Sequence, residues 1–127
     1  MNYSDKLRDP RWQKKRLEVF QRDNFTCQKC GDSQTTLSVH HRRYIWPLDP
    51  WEYDNSSLVT LCEPCHEHEK EAMDEALASL FDQVRDNFLS DEVRLIAQAI
   101  NYGLDSQEGS NLLKKLLMER ARLRIVK

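Results

Sequence analysis

The chain has 127 residues, 39% hydrophobic and 31% charged, with a formal net charge of -2. That length suits one domain with a modest core and room for a helical extension. No apolar run approaches the roughly 18 residues of a membrane span, and Met1 to Lys6 lack the apolar stretch of a signal peptide. A cytoplasmic protein with no membrane partner is expected.

The near-neutral total hides an uneven layout. Residues 1–30 hold eight Lys/Arg against four Asp/Glu, residues 71–105 hold two against eight, and residues 106–127 hold six against two. A basic face that contacts phosphate stays open despite the overall charge.

Asp9-Pro10 opens a helix, with proline at its tolerated first position. Trp12, Arg16, Val19 and Phe20 recur at helical spacing to about Arg22; Trp12, Val19 and Phe20 are candidate core. Lys14, Lys15 and Arg16 form either a solvated face or a phosphate-contacting one. Asp23-Asn24 breaks the helix, and Gly31-Asp32 turns the chain. Leu37-Ser38-Val39-His40 alternates as a short strand. Residues 42–57 are irregular but rich in aromatics (Tyr44, Trp46, Trp51, Tyr53), so they should wrap the core or rim a site. Leu58 to Leu61 form the next strand. A helix follows from Pro64 to about Phe88, with Ala72, Ala76, Leu77, Leu80, Phe81 and Val84 on its apolar side. Ser90 can cap another helix with Val93, Ile96, Ala97 and Ile100 facing inward, and Gly103 ends it. Gly109-Ser110 precedes a last helix with Leu112, Leu113, Leu116 and Leu117, and with Arg120, Arg122 and Arg124. Residues 73–127 carry no reactive constellation. They read as a helical extension for packing, for a homodimer or protein partner, or for positioning substrate.

Cys27-Gln28-Lys29-Cys30 and Cys62-Glu63-Pro64-Cys65 are two CxxC pairs. In a reducing compartment this spacing favours metal over disulfides. Four thiolates suit one tetrahedral structural Zn2+ that staples the segment near residue 28 to that near 63. Such a closed site has no open position, so its metal is not the catalyst.

His40 and His41 end the first strand and point to opposite sides of it. His66 lies in the first turn of the helix fixed by Cys65. His40 and His66 can converge on a hard divalent ion that keeps positions open for phosphate, with His41 free as a general base. Two blander readings stay open: His66 as an exposed helix residue, and His40 as a zinc ligand in a non-catalytic DNA- or protein-binding module.

Trp12 and Arg16, Arg22-Asp23, Phe25, Cys27 and Cys30, Val39-His40-His41, Tyr44, and Leu58-Val59-Thr60-Leu61-Cys62 with Cys65-His66 together resemble the HNH endonucleases, the ββα-metal nucleases. The resemblance covers residues 3–70. It implies a zinc-stapled nuclease core; with the elements above, the expected fold is α+β, with that core over residues 1–72 preceded by a helix, and a helical extension over 73–127 that lies outside the resemblance. It implies metal-dependent hydrolysis of DNA. His40 and His66 would then hold the catalytic ion and His41 would be the base. The central Asn position of the family falls on Ser57, and Asn55, two residues earlier, would take the role of orienting His41. Where some members add a histidine four residues beyond the last, this chain has Lys70; His68 points elsewhere on the helix, and Glu63 lies within the knuckle. Two protein ligands and an oxygen-rich shell favour Mg2+ or Mn2+. Lys14, Lys15, Arg16, Arg42 and Arg43 are the candidate DNA contacts.

Overall fold

The computed structural model describes the backbone of residues 1–126 and the side chains of residues 1–122. Arg124, a basic residue of the last helix, lies outside the described side chains. The fold is α+β. In chain order it runs α1 (Tyr3–Arg8), α2 (Pro10–Arg22), β1 (Leu37–His41), β2 (Leu58–Cys62), α3 (Glu63–Asn87), α4 (Ser90–Tyr102) and α5 (Gln107–Val126). Short 3₁₀ turns at Pro50–Glu52 and Asn55–Ser57 break the long connection between the strands. No helix among the described residues is long and apolar enough to cross a membrane. The chain divides into two compact units, Met1–Asp74 and Glu75–Lys127.

In the first unit, β1 and β2 pair antiparallel, with Leu37 opposite Cys62 and His41 opposite Leu58. Every residue of β2 is buried, which fits its unbroken apolar run. Leu58 packs with Trp12, Val19, Val39 and Tyr53, and Leu7, Phe20 and Trp51 cover that cluster. Val59 and Leu61 instead join Cys27 and Cys62. Leu58 on one face and Val59 and Leu61 on the other thus separate an aromatic core from the cysteine site, which Cys62 joins from the strand's end.

Asp9 caps α2 by accepting the Arg11 N–H at 2.8 Å. At its other end Asp23 is buried, accepts the Thr60 N–H at 2.9 Å and pairs with Arg22 at 2.9 Å. Arg22 also donates to the backbone oxygens of Asn55 (2.6 Å) and Leu58 (2.7 Å). The Arg22-Asp23 dipeptide therefore fastens α2 to β2 and to the turn before it.

In the second unit α4 packs on α5. Ser90 does not cap α4. It is the first helical residue, and Glu92 accepts the Leu89 N–H at 3.0 Å instead. The buried position of α4 is Ala99, while Ala97 and Ile100 are exposed. Among the described residues α5 is the element packed most closely on α4, and it leaves those two side chains uncovered. The last helix starts before Gly109, because Ser106 accepts the Gly109 N–H at 3.0 Å and so caps it. A Cβ on Gly109 would stand 2.1 Å from the Gly103 oxygen. This glycine serves close helix contact and does not end a loop.

Candidate active site

The helix α2 ends on two residues with left-handed backbone, Asn24 (φ 55°) and Phe25 (φ 51°). That conformation is costly for a bulky side chain. Here the Phe25 N–H donates to the Phe20 oxygen at 2.8 Å, and the two rings lie 6.1 Å apart. The reversal delivers Cys27 to β2, where the Gln28 N–H donates to the Thr60 oxygen at 3.0 Å. Gly31, with φ 81°, closes the knuckle by donating to the Cys27 oxygen at 2.9 Å. The second pair spans the end of β2 and the first turn of α3.

All four Sγ atoms lie within 4.8 Å of one another. The Cys30 and Cys62 sulfurs are 3.6 Å apart. A disulfide needs about 2.05 Å, whereas a tetrahedron with metal–sulfur bonds of about 2.3 Å has an edge of roughly 3.8 Å. The four free cysteines can therefore hold a metal ion such as zinc. Burial resists ionisation of Cys27, but the backbone N–H groups of Cys30, Cys62 and Lys29 outweigh it and bring the thiol down to about 6. The Cys65 thiol, facing the Cys62 sulfur and partly desolvated, is pushed up to about 12. One sulfur is thus prepared as a thiolate, and a cation would draw the others to the same state.

His40 and His66 meet edge to face, with ring centroids 5.4 Å apart. Burial lowers the His40 pKa and the neighbouring His66 adds to the effect, so a neutral, ligating imidazole is favoured. His41 lies between rings: Trp12 stacks at 5.1 Å, Tyr44 at 5.2 Å, and Tyr53 meets it edge-on at 4.7 Å. It is 5% exposed. Burial lowers its pKa, while a hydrogen bond to the Pro50 backbone works the other way. Proline has no N–H, so the imidazole donates that bond. Its Nε2 is buried with no partner. A cleft of about 360 Å³ brings His41 and His66 together with Tyr3, Trp12, Arg16 and Tyr44.

Not every expected residue joins this group. Among the described residues no hydrogen bond links Asn55 to His41. The Asn55 amide reaches Glu18 at 3.5 Å, and its backbone oxygen receives Arg22. The ring of His41 is held by Trp12, Tyr44, Tyr53 and Pro50. Lys14, Arg42 and Arg43 are exposed; Lys15 and Arg16 are half-buried, and Arg16 alone of the five lines the cleft. His68 is exposed on α3.

Three residues escaped the sequence reading. Tyr3 belongs to α1, whose signal was Asn2 accepting the Asp5 N–H at 2.9 Å. Tyr3 shares the cleft with Tyr44, and burial, with the neighbouring Tyr44 hydroxyl adding to it, raises its pKa to about 12. Tyr53 stood out only as one aromatic among several. Glu69 lies three residues past His66, a spacing that shares a helix face. Its charge acts on His40, and it pairs with Lys29 at 2.6 Å. It ties the first knuckle to α3. Comparison of the chain with family models, with curated proteins and with solved structures gave no match.

Proposed function

We propose that this chain is a metal-dependent DNA endonuclease of the HNH type, with a structural Zn2+ on Cys27, Cys30, Cys62 and Cys65. The supporting observation is the His41 ring. Three aromatic rings and the Pro50 carbonyl hold it, and its unpartnered Nε2 shares a cleft with His66. A buried nitrogen without a partner is costly unless a substrate or water completes it.

In this reading Nε2 of His41 takes the proton of the attacking water. The Pro50 backbone oxygen, acting on the other nitrogen, favours the tautomer that leaves Nε2 free to do so. His40 and His66 would hold a divalent ion, Mg2+ or Mn2+, and their close approach suits a shared ligand. Such an ion, when bound, would supply charge stabilisation to a phosphate in the cleft. Arg16 reaches the same cleft and binds phosphate there, while Arg42 and Arg43 track the backbone beside it. Asn55 acts at one remove, by holding the turn that Arg22 fastens. The helices beyond residue 73 carry exposed apolar side chains and serve assembly, most simply as a homodimer.

Supercoiled DNA incubated with magnesium or manganese, with and without chelator, tests the reading. Metal-dependent nicking that is lost in His41→Ala supports it. DNA binding without cleavage across both metals and both duplex and single strands makes the fold a zinc-stabilised binding module instead.

A further inference from the structure

The most exposed large side chain near the histidine cleft is Trp46, at 93%. The other two tryptophans lie in or against the core. Water-exposed indole is costly to leave bare, and this one is not on a loose segment. The Leu48 N–H donates to the Ile45 oxygen at 2.8 Å, closing a turn with Trp46 and Pro47 at its tip. The Ile45 N–H donates to the Tyr53 hydroxyl, also at 2.8 Å. Tyr53 is buried and contacts His41. The turn that presents Trp46 is thus fastened to the ring that orients the candidate base.

Its surroundings select the ligand. Tyr44, two residues earlier, is 69% exposed although one side of its ring stacks on His41. Arg42 and Arg43 are exposed and form no ion pair among the described residues. Aromatic faces beside unpaired guanidinium groups suit nucleic acid: bases stack on the rings and phosphates meet the cations. Ile45 and Leu48 on either side of Trp46 are also more than a third exposed, as a protein partner would want; the two guanidinium groups ahead of this apolar run are what favour nucleic acid over it. In an intact duplex both faces of each base are already stacked, so a fixed indole can only take a base that lies outside the stack.

We propose that Trp46, with Tyr44 and the Arg42-Arg43 pair, is a stacking site for an unpaired nucleobase. The favoured substrate is then DNA with a single-stranded stretch at the scissile phosphate. This rests on the nuclease reading of the His41 cleft for its scissile bond, but its binding arm stands by itself.

The test uses the full, zinc-loaded chain without added magnesium. Fluorescence anisotropy follows a labelled single strand of about 20 nucleotides and a duplex of the same sequence. Trp46→Ala should weaken the single strand roughly 5- to 100-fold and the duplex far less, and Trp46→Tyr should restore most of the loss. Zinc content reports that the variants fold. Equal losses on strand and duplex overturn the proposal, because Trp46 then acts as a general positioning contact or a duplex wedge. Unchanged single-strand binding in Trp46→Ala overturns it too, as does a fall in molecular mass, which marks a protein interface. Parallel nicking of supercoiled DNA separates the two readings. Selective loss of strand binding with no cleavage by the wild type leaves the base site standing and removes the nuclease. Normal cleavage with no effect of Trp46→Ala does the reverse.

Discussion

The two units of this chain satisfy the same physical demand by opposite means. Among the described residues, Met1–Asp74 contains nine of the buried apolar side chains, and Glu75–Lys127 contains Ala99 and Leu116. The first unit has short strands and long irregular segments, yet it closes a core through the cysteine cluster, the Arg22-Asp23 fastening and a set of stacked rings. The second is almost wholly helical, and it leaves Leu77, Leu80, Phe81, Leu89, Ile100, Leu104, Leu117 and Met118 exposed. Regular secondary structure does not by itself make a core. Cross-links between irregular segments can do so at a size where hydrophobic burial is marginal.

The sharpest way to break the comparison is to deny the four cysteines the metal ion they can hold. Structural zinc contributes on the order of 10–16 kcal/mol in small metal-bound modules. All three tryptophans lie within residues 1–74, so their fluorescence reports the first unit alone. Chelation, or Cys62→Ser, should shift that emission toward the unfolded value. Far-ultraviolet helix signal from the second unit should largely persist. If both signals collapse together, the units depend on each other and the contrast fails.

Next in size is the chemistry. His41→Ala should lower the cleavage rate by about 10²–10⁴-fold at unchanged zinc content, because it removes a base and leaves all four thiolates. His40→Ala and His66→Ala should instead raise the magnesium or manganese concentration needed for half-maximal cleavage. Titration with manganese, read both by activity and by direct metal binding, distinguishes the two roles. Full activity in His41→Ala with a dead His68→Ala would reverse the assignment.

A smaller effect is expected at the Asp23 fastening. Arg22, ahead of the Thr60 N–H hydrogen bond, holds this carboxyl below its ordinary 3.8 despite the opposing burial. The stability it contributes is present above 3.8 and is lost as pH falls through the lower folded value. Asp23→Ala leaves the Thr60 N–H buried without its acceptor, at a cost of roughly 1–3 kcal/mol. Arg22 is partly solvated and regains water, which keeps the loss from growing further. Denaturant melts at about pH 6 and 8 should give the same difference, since both lie above the titration window. A difference that changes between them would assign the effect to another group.

What could be read from the sequence follows the range of the forces involved. The α+β class, the strand around His40 and the cysteine cluster depend on local spacing, and the structure has them. The ring cage of His41 was not legible, because Trp12, Tyr44 and Tyr53 come from three separate segments. Composition marked residues 42–57 as wrapping something, but not which of four aromatics would touch the histidine. Glu69 was within reach of the helical rule and was passed over for Lys70 and His68. The ends of α4 and α5 went astray because Ser90 and Gly109 have two readings each. Only the tertiary approach of Gly109 to the Gly103 oxygen decides the second.

The smallest effect on chemistry is expected from the α3 stripe. Met73, Leu77, Leu80 and Val84 recur every three or four residues, and Phe81 lies beside them. Met73, Leu77, Leu80 and Phe81 are all exposed. Glu71, Glu75, Asp82 and Asp86 fall at other positions around the helix, and Asp74 lies at the edge of the stripe, three residues before Leu77. That pattern suits pairing with the same stripe of a second copy. Leu80→Glu combined with Phe81→Glu places charge on that seam at exposed sites, where substitutions within one chain usually change stability by less than about 0.5 kcal/mol. Light scattering should therefore show a species near twice 15.1 kDa fall to 15.1 kDa, with the melting of the first unit unchanged. Cleavage per site should stay within about threefold, well short of the loss expected for a missing base. A wild type that is monomeric at every concentration would remove the pairing. A double variant that keeps its fold and DNA binding but no longer cleaves would mean that the second unit supplies a reacting group, and the division of labour between the two units would have to be redrawn.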